Sequence, residues 1–187
     1  MAYEEFEHKF VVTEEFLEEV SFRRKLDLLS PERIVRQDVR DVYYISRKTP
    51  GFIYRHRYDK ELQQLTVKSF GGDTERRTEI NLELDQGRGD QGEAVREFLG
   101  IQGIEWQGTI HKKTEVFYLK DCEIACYEAR RRGKTVRCVE FEARETSIAL
   151  NAKKVLRYYE NLFGFDEAER EKKSLVELMF EEVSGLI

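Results

Sequence analysis

Several stretches of this chain set charged residues two positions apart, the spacing that puts both side chains on one face of a β-strand. In YEEFEHKF (3–10), Glu5, Glu7 and Lys9 share a face and Phe6 and Phe10 take the other. Arg55 alternates with Arg57, Thr66 with Lys68, Glu140 with Glu142, and Arg77 leads a row that continues through Glu79, Asn81 and Glu83. Arginine offers forked donors to phosphate oxygens, lysine offers a point charge, and carboxylates are hard oxygen ligands suited to Mg²⁺ or Mn²⁺. Lys9, Arg55, Arg57, Lys68, Arg77 and Lys112 thus form a set suited to a polyanion, and Glu5, Glu7, Glu79, Glu140 and Glu142 a set suited to a divalent cation. A phosphate chain carrying a divalent metal needs both sets at once.

Strands must position these residues. Beyond 3–10, the runs DVYYISRK (41–48), GFIYRHRYDK (51–60), QLTVKSF (64–70) and RRTEINLEL (76–84) are rich in β-formers and separated by TPG and GGD, which predicts successive hairpins. GTIHKKTEVFYL (108–119), CEIACYEAR (122–130) and KTVRCVEFEAR (134–144) supply three more strands, the last two joined by a basic turn around RRRGK. VTEEFLEEVSFRRKLDLL (12–29) predicts a helix capped by Thr13 with Phe16, Leu17 and Val20 at helical spacing, and GEAVREFLG (92–100) a short one. Two helices close the chain: 147–164, with Ile148, Ala152, Val155 and Tyr159 on a stripe, and 167–183, opened by an Asp166/Glu169 capping box. The expected fold class is α+β, an antiparallel sheet with helices against it.

A polar strand face ordinarily looks at water. Six strands carrying one charged face each allow the opposite arrangement, a closed sheet lined by charge with Phe6, Phe10, Val67, Ile80, Leu82, Leu84, Val139 and Phe141 turned out against helices. Charges inside a barrel are tolerable when they compensate one another or are held by ligand and water.

Composition narrows the partners. The 32 Lys and Arg nearly balance 37 Asp and Glu, which implies neither a basic nucleic-acid surface nor an acidic tail. With 187 residues and 40% hydrophobic content, a single domain over 1–187 is expected. Three cysteines, no apolar leader and no long apolar run lead us to expect a cytoplasmic protein with reduced thiols and no membrane partner. His8, His56 and His111 each neighbour an inward candidate and should point away from it. Cys122 and Cys126 lack a second pair for zinc and read as packed thiols. The Arg130–Arg132 run reads as a solvated turn, and Trp106 as packing.

EFEHK resembles the ExExK signature of the CYTH superfamily, the triphosphate tunnel metalloenzymes. The later elements resemble that family's in the same order: DVYY its D-x-Y-Y strand, YRHR its R-x-R pair, LTVK its strand lysine, RRTE its R-x-E element, VEFE its E-x-E pair. KKSLVEL resembles its closing helix, with Leu175 at the tyrosine position. The resemblance implies an eight-stranded antiparallel closed barrel with helices packed outside, whose tunnel takes a triphosphate-containing small molecule with Mg²⁺ or Mn²⁺. It carries metal contacts to Glu5, Glu7, Glu140 and Glu142, and phosphate contacts to Lys9, Arg55, Arg57, Lys68, Arg77 and Lys112. Lys9, Glu7 and Glu142 take the catalytic roles, and Glu79 is an additional acid. Three departures stand out: Asn81 in place of a carboxylate, Thr114 in place of an arginine, and CYEARRRGK in place of an Asp-containing hairpin, where Glu128 is a candidate substitute. The activity implied is metal-dependent hydrolysis of a triphosphate, with cyclisation of ATP or non-catalytic polyphosphate binding as the alternatives, by a monomer or homodimer.

Overall fold

The computed structural model describes residues 3–69, 75–144 and 149–186. Eight strands, β1 (Tyr3–Val12), β2 (Arg33–Ser46), β3 (Phe52–Tyr58), β4 (Gln63–Ser69), β5 (Arg76–Glu83), β6 (Ile104–Tyr118), β7 (Cys122–Arg131) and β8 (Lys134–Ala143), close into a barrel in the order β1-β5-β4-β3-β2-β6-β7-β8, every pair antiparallel. The α+β closed barrel is therefore the fold. Closure gives every strand a paired neighbour on both sides. The β2 and β6 strands are longer than the hydrophobic pattern implied, because the residues before Val39 pair in register with β6 while remaining largely exposed.

The phenylalanines on the outer face find their helices. Phe6, Phe10, Phe117, Ile124, Val139 and Phe141 are buried against Phe22 and Leu26 of α2 (Val20–Leu28) and Ala152, Leu156, Tyr159 and Phe163 of α4 (Ala149–Phe163). Val95 and Leu99 of α3 (Gly92–Gly100) cover Val42, Tyr44 and Leu65. The outer face of β5 stays uncovered, so Ile80 and Leu82 are exposed rather than packed under a helix. Among the described residues no helix is long and apolar enough to cross a membrane.

Two helices depart from expectation. The first breaks at Glu19, whose ψ of 125° is not helical, into α1 (Glu14–Glu18) and α2; Thr13 does cap it, accepting from Phe16 N, but Val20 faces solvent. The expected 167–183 helix is a single 3₁₀ turn over Glu167–Glu169, carrying the Asp166/Glu169 capping box, and then an extended strap. The strap bridges β1, with Arg170 paired to Phe10 and Glu171 N donating to Lys9 O. A second capping box, Ser174 with Glu177, starts α5 (Leu175–Met179).

Unlike the other helices, α5 does not lie on the barrel wall. Leu175, Val176, Met179 and Phe180 pack against Tyr43, Ile45, Ile53, Ile110, Tyr127, Ala129 and Cys138, all on inward strand positions. It plugs one end of the barrel. Gly108 on β6 makes room for this plug: a Cβ there would come 2.5 Å from ring atoms of both Phe180 and Trp106. Trp106 itself stacks edge-on against Phe180, as packing. Ile148 and the GGD turn lie outside the described residues.

Candidate active site

With one end plugged, the interior becomes two chambers that share Glu7, Arg55, Lys68, Lys112 and Glu140 as lining. The deep chamber, about 70 Å³, adds Lys9, Arg77, Tyr127 and Ser174. The outer one, about 260 Å³, adds Glu5, Arg57, Glu79, Glu123 and Glu142. The structure thus gathers every expected cation and five of the expected carboxylates, Glu5, Glu7, Glu79, Glu140 and Glu142, in one interior, from strands β1, β3, β4, β5, β6 and β8. All three histidines point away from it: His8 Nδ1 lies 2.6 Å from Glu160 Oε1 on α4, His56 Nε2 3.1 Å from Gln63 Oε1, and His111 is exposed. The cysteines are free, buried thiols.

Most interior charges are paired. Lys9 Nζ sits 3.5 Å from Glu140 and 3.8 Å from Glu7, which also contacts Arg77. Lys68 lies 3.1 Å from Glu5 and contacts Glu79. Burial opposes ionisation of Glu79, yet Lys68 and Arg55 hold its carboxyl far below the usual range. Burial likewise opposes Glu140, but Lys9 and Lys112 bring it down to about 2.

Arg57 is tied more tightly than a ligand-binding residue should be. Its Nε and Nη2 donate to the two carboxylate oxygens of Asp41, at 2.8 and 2.7 Å. Asp41 is fully buried; desolvation pushes its pKa up, and Arg57 overrides this to about 2. The fork is spent inside the wall.

Two places are left unbalanced. Lys112, buried, has no ion pair among the described residues; its ammonium rests 3.7 Å from the centroid of the Tyr127 ring. Desolvation lowers its pKa to about 8, partly countered by Glu140. Beside it Arg55 donates through Nη2 to Thr66, at 3.0 Å, and lies 3.9 Å from Glu79, while its buried Nε has no hydrogen-bond partner. On β8, two strands along from Lys112, Glu142 faces Glu7 on β1 and Glu123 on β7 directly across the ladders, a like-charge row that costs stability. Burial, then Glu5 and Glu123, push the Glu142 pKa well up, and it too has no ion pair among the described residues.

That row tests the expected metal. Among the described residues no three acidic, histidine or cysteine side chains already converge closely enough to hold an ion. The chemistry of the donors nevertheless fits one: hard oxygens, crowded and uncompensated at Glu142, are what a divalent cation relieves.

Glu128 is a correction. The β7–β8 hairpin turns on two residues at positive φ, Arg132 (38°) and Gly133 (82°), and pairs Arg131 with Lys134. Residues directly opposite share a face, so with Glu140 inward, Ala125 opposite it is inward, as are Tyr127 and Ala129. Glu128 therefore points out, contacting Arg130 and Arg137. Three interior residues carried no assigned role in the sequence: Asp41, whose partner emerges only from the Asp41↔Arg57 register, Tyr127, and Glu123, which the two-residue turn places opposite Glu142.

No protein-family model matches the chain, and no curated protein does either. Solved structures match over nearly its whole length. A protein from Pyrococcus horikoshii has a TM-score of 0.75 and 22% identity, covering 93% of this chain and 98% of its own. A putative adenylate cyclase from Bacillus halodurans has a TM-score of 0.62 and 16% identity, covering 94% and 97%. A putative adenylyl cyclase from Hippeastrum, described as having a dominant triphosphatase activity, has a TM-score of 0.54 and 13% identity, covering 98% and 96%. The chain shares the closed-barrel fold of these structures, the fold that the ExExK resemblance implied.

Proposed function

We propose that this chain is a divalent-metal-dependent enzyme that hydrolyses a triphosphate inside the barrel. The observation that carries the reading is the imbalance in one interior: Lys112 without an ion pair and the Arg55 Nε without a hydrogen-bond acceptor, and Glu142 without a cation. A triphosphate with its metal supplies both.

Lys112, Arg55, Lys9 and Arg77 bind the phosphate oxygens in the deep chamber and fix the chain against the plug, where Leu175 and Val176 keep out bulk water. Lys9 offsets the charge of the transferred phosphoryl group. Glu5, Glu7, Glu140 and Glu142 are the carboxylates that would hold Mg²⁺ or Mn²⁺, whose bound form supplies Lewis-acid activation and charge neutralisation. Glu7 and Glu142, facing each other across β1 and β8, flank the position of the attacking water as acceptors for its protons.

A second reading, cyclisation of ATP, is favoured by one feature: the outer chamber has an uncharged flank of Gln37, Leu62, Gln64, Val116 and Tyr118, where an organic group could rest. One assay separates the two. The protein is incubated with tripolyphosphate, nucleoside triphosphates and thiamine triphosphate, with Mg²⁺ or Mn²⁺. Orthophosphate release supports hydrolysis and pyrophosphate with a cyclic nucleotide supports cyclisation. No product from any member of the panel refutes both.

A further inference from the structure

The strand between Lys112 and Glu140 has an unusual inner face. β7 lies between β6, which carries Lys112, and β8, which carries Glu140. Its inward positions there are Ala125, Tyr127 and Ala129. Ala125 stands directly opposite Glu140 and Ala129 directly opposite Lys112. Tyr127 is thus the one bulky side chain on β7 between them, and it is 1% exposed. Its hydroxyl donates to Glu140 Oε1 at 2.8 Å, while its ring face carries the Lys112 ammonium at 3.7 Å. Without that ring, two alanines would separate an acid from a buried amine.

We infer that Tyr127 is a positioning residue that keeps Lys112 and Glu140 from closing an ion pair, so that the lysine remains available to phosphate and the carboxylate to the metal. The ring holds the cation by its π face, which attracts without neutralising, and leaves the ammonium hydrogens turned away from the ring free for a ligand. The hydroxyl fixes Glu140 on the other side. Lys112 is held by a contact weaker than the ion pair the ring prevents, so it can exchange onto the ligand, while Glu140 keeps its 3.5 Å pairing with Lys9. This inference rests on the triphosphate reading above, in which Lys112 is a phosphate ligand.

The test measures tripolyphosphate binding by calorimetry and, in parallel, steady-state kinetics with Mg²⁺, for Tyr127→Phe, Tyr127→Leu and the double variant Tyr127→Leu/Glu140→Gln. The Phe variant keeps the ring, so its Kd and KM stay near the native values and its loss appears in kcat. In the Leu variant Lys112 collapses onto Glu140, and Kd and KM rise by about tenfold or more, the scale of losing one desolvated charge contact. Removing the Glu140 charge in that background frees the lysine and restores Kd, although not kcat, and a merely structural role for the ring does not produce that rescue. Native-like affinity in the folded Leu variant, an equal loss in the Phe variant, or no rescue in the double variant overturns the inference while leaving the triphosphate reading intact. A native protein that binds no tripolyphosphate overturns both.

Discussion

Replacing Arg57 by alanine should damage the fold more than the binding site. Both oxygens of Asp41 are engaged by the Arg57 fork, and Tyr43 Oη adds a long contact at 3.4 Å. Asp41 has no exposure to solvent, so removal of Arg57 strands a buried carboxylate without its forked donor. Breaking a buried pair from one side costs about 3–5 kcal/mol. The drop in the Asp41 pKa from 3.8 to about 2 corresponds to about 2 kcal/mol, of the same order. For a chain of this size that is a fall in melting temperature of roughly 6–20 °C. The pH dependence has a definite sign. A depressed carboxyl contributes stability above its unfolded pKa and loses it as the pH falls through the folded value, here from 3.8 towards about 2. In Arg57→Ala burial is opposed only by the smaller pull of Arg55 and Lys112, so the Asp41 pKa rises, and the deficit is greatest at neutral pH and shrinks on acidification as Asp41 takes up its proton. Thermal melting by circular dichroism at pH 7 and pH 4, with the double variant Arg57→Met/Asp41→Leu, measures this. The double variant should recover most of the loss. An Arg57→Ala protein that melts at or above the native temperature at pH 7 refutes the reasoning, and would return Arg57 to the role of a free phosphate ligand.

Four further outcomes are expected. Glu142→Gln should raise the melting temperature of the metal-free protein at neutral pH, since its raised pKa marks an ionised form that costs stability as the pH climbs, and should cut metal-dependent turnover strongly; melting and initial rates report the two effects. EDTA should abolish turnover and Mg²⁺ or Mn²⁺ restore it, and undiminished rates in chelator would remove the metal from the reaction. Phe6→Ala should cost about 3–5 kcal/mol in denaturant titration yet keep its rate per folded molecule, whereas Lys9→Ala should lose rate with a smaller stability change, because Phe6 is buried under the helices and Lys9 lines the deep chamber. Gly108→Ala should cost about 1–3 kcal/mol by forcing the Phe180 and Trp106 rings apart, seen as a lower melting temperature.

What could be read from the sequence follows from which features are local. Period-two alternation of charge with phenylalanine is local, so the inward faces of β1, β3 and β8 were legible before any partner was known, and their union implied a charged interior. Parity across a hairpin is not local: it depends on whether the turn at Arg132 and Gly133 spends two residues or three, and one residue exchanges Glu128 for Tyr127. The Asp41 fork required the β2–β3 register. At the C-terminus the apolar spacing of 175–183 suits one long helix as well as a plug. The signal for a break was the second S-x-x-E box at Ser174 and Glu177, because a helix already running has no use for a new N-cap.

The plug alters what the interior charges are worth. A tunnel open to water at both ends would screen Lys112 and Arg55 with a high dielectric, and their attraction for phosphate would be correspondingly small. Leu175, Val176, Met179 and Phe180 instead put an apolar floor under the deep chamber, and the resulting burial lowers the Lys112 pKa to about 8. The same exclusion makes the empty barrel costly, because the lysine and the Glu142 row must be kept near one another without full compensation. The strap ties these two consequences together. Arg170 pairs with Glu160 at 2.7 Å, Glu160 contacts His8, and Glu171 N donates to Lys9 O, so the segment that carries the plug is fastened to the outer face and backbone of the strand whose inner face presents Glu7 and Lys9. The residues that bind the ligand and the helix that dries their chamber are thus held by one strand, and a change that loosens the strap should weaken phosphate binding without touching any residue that contacts phosphate.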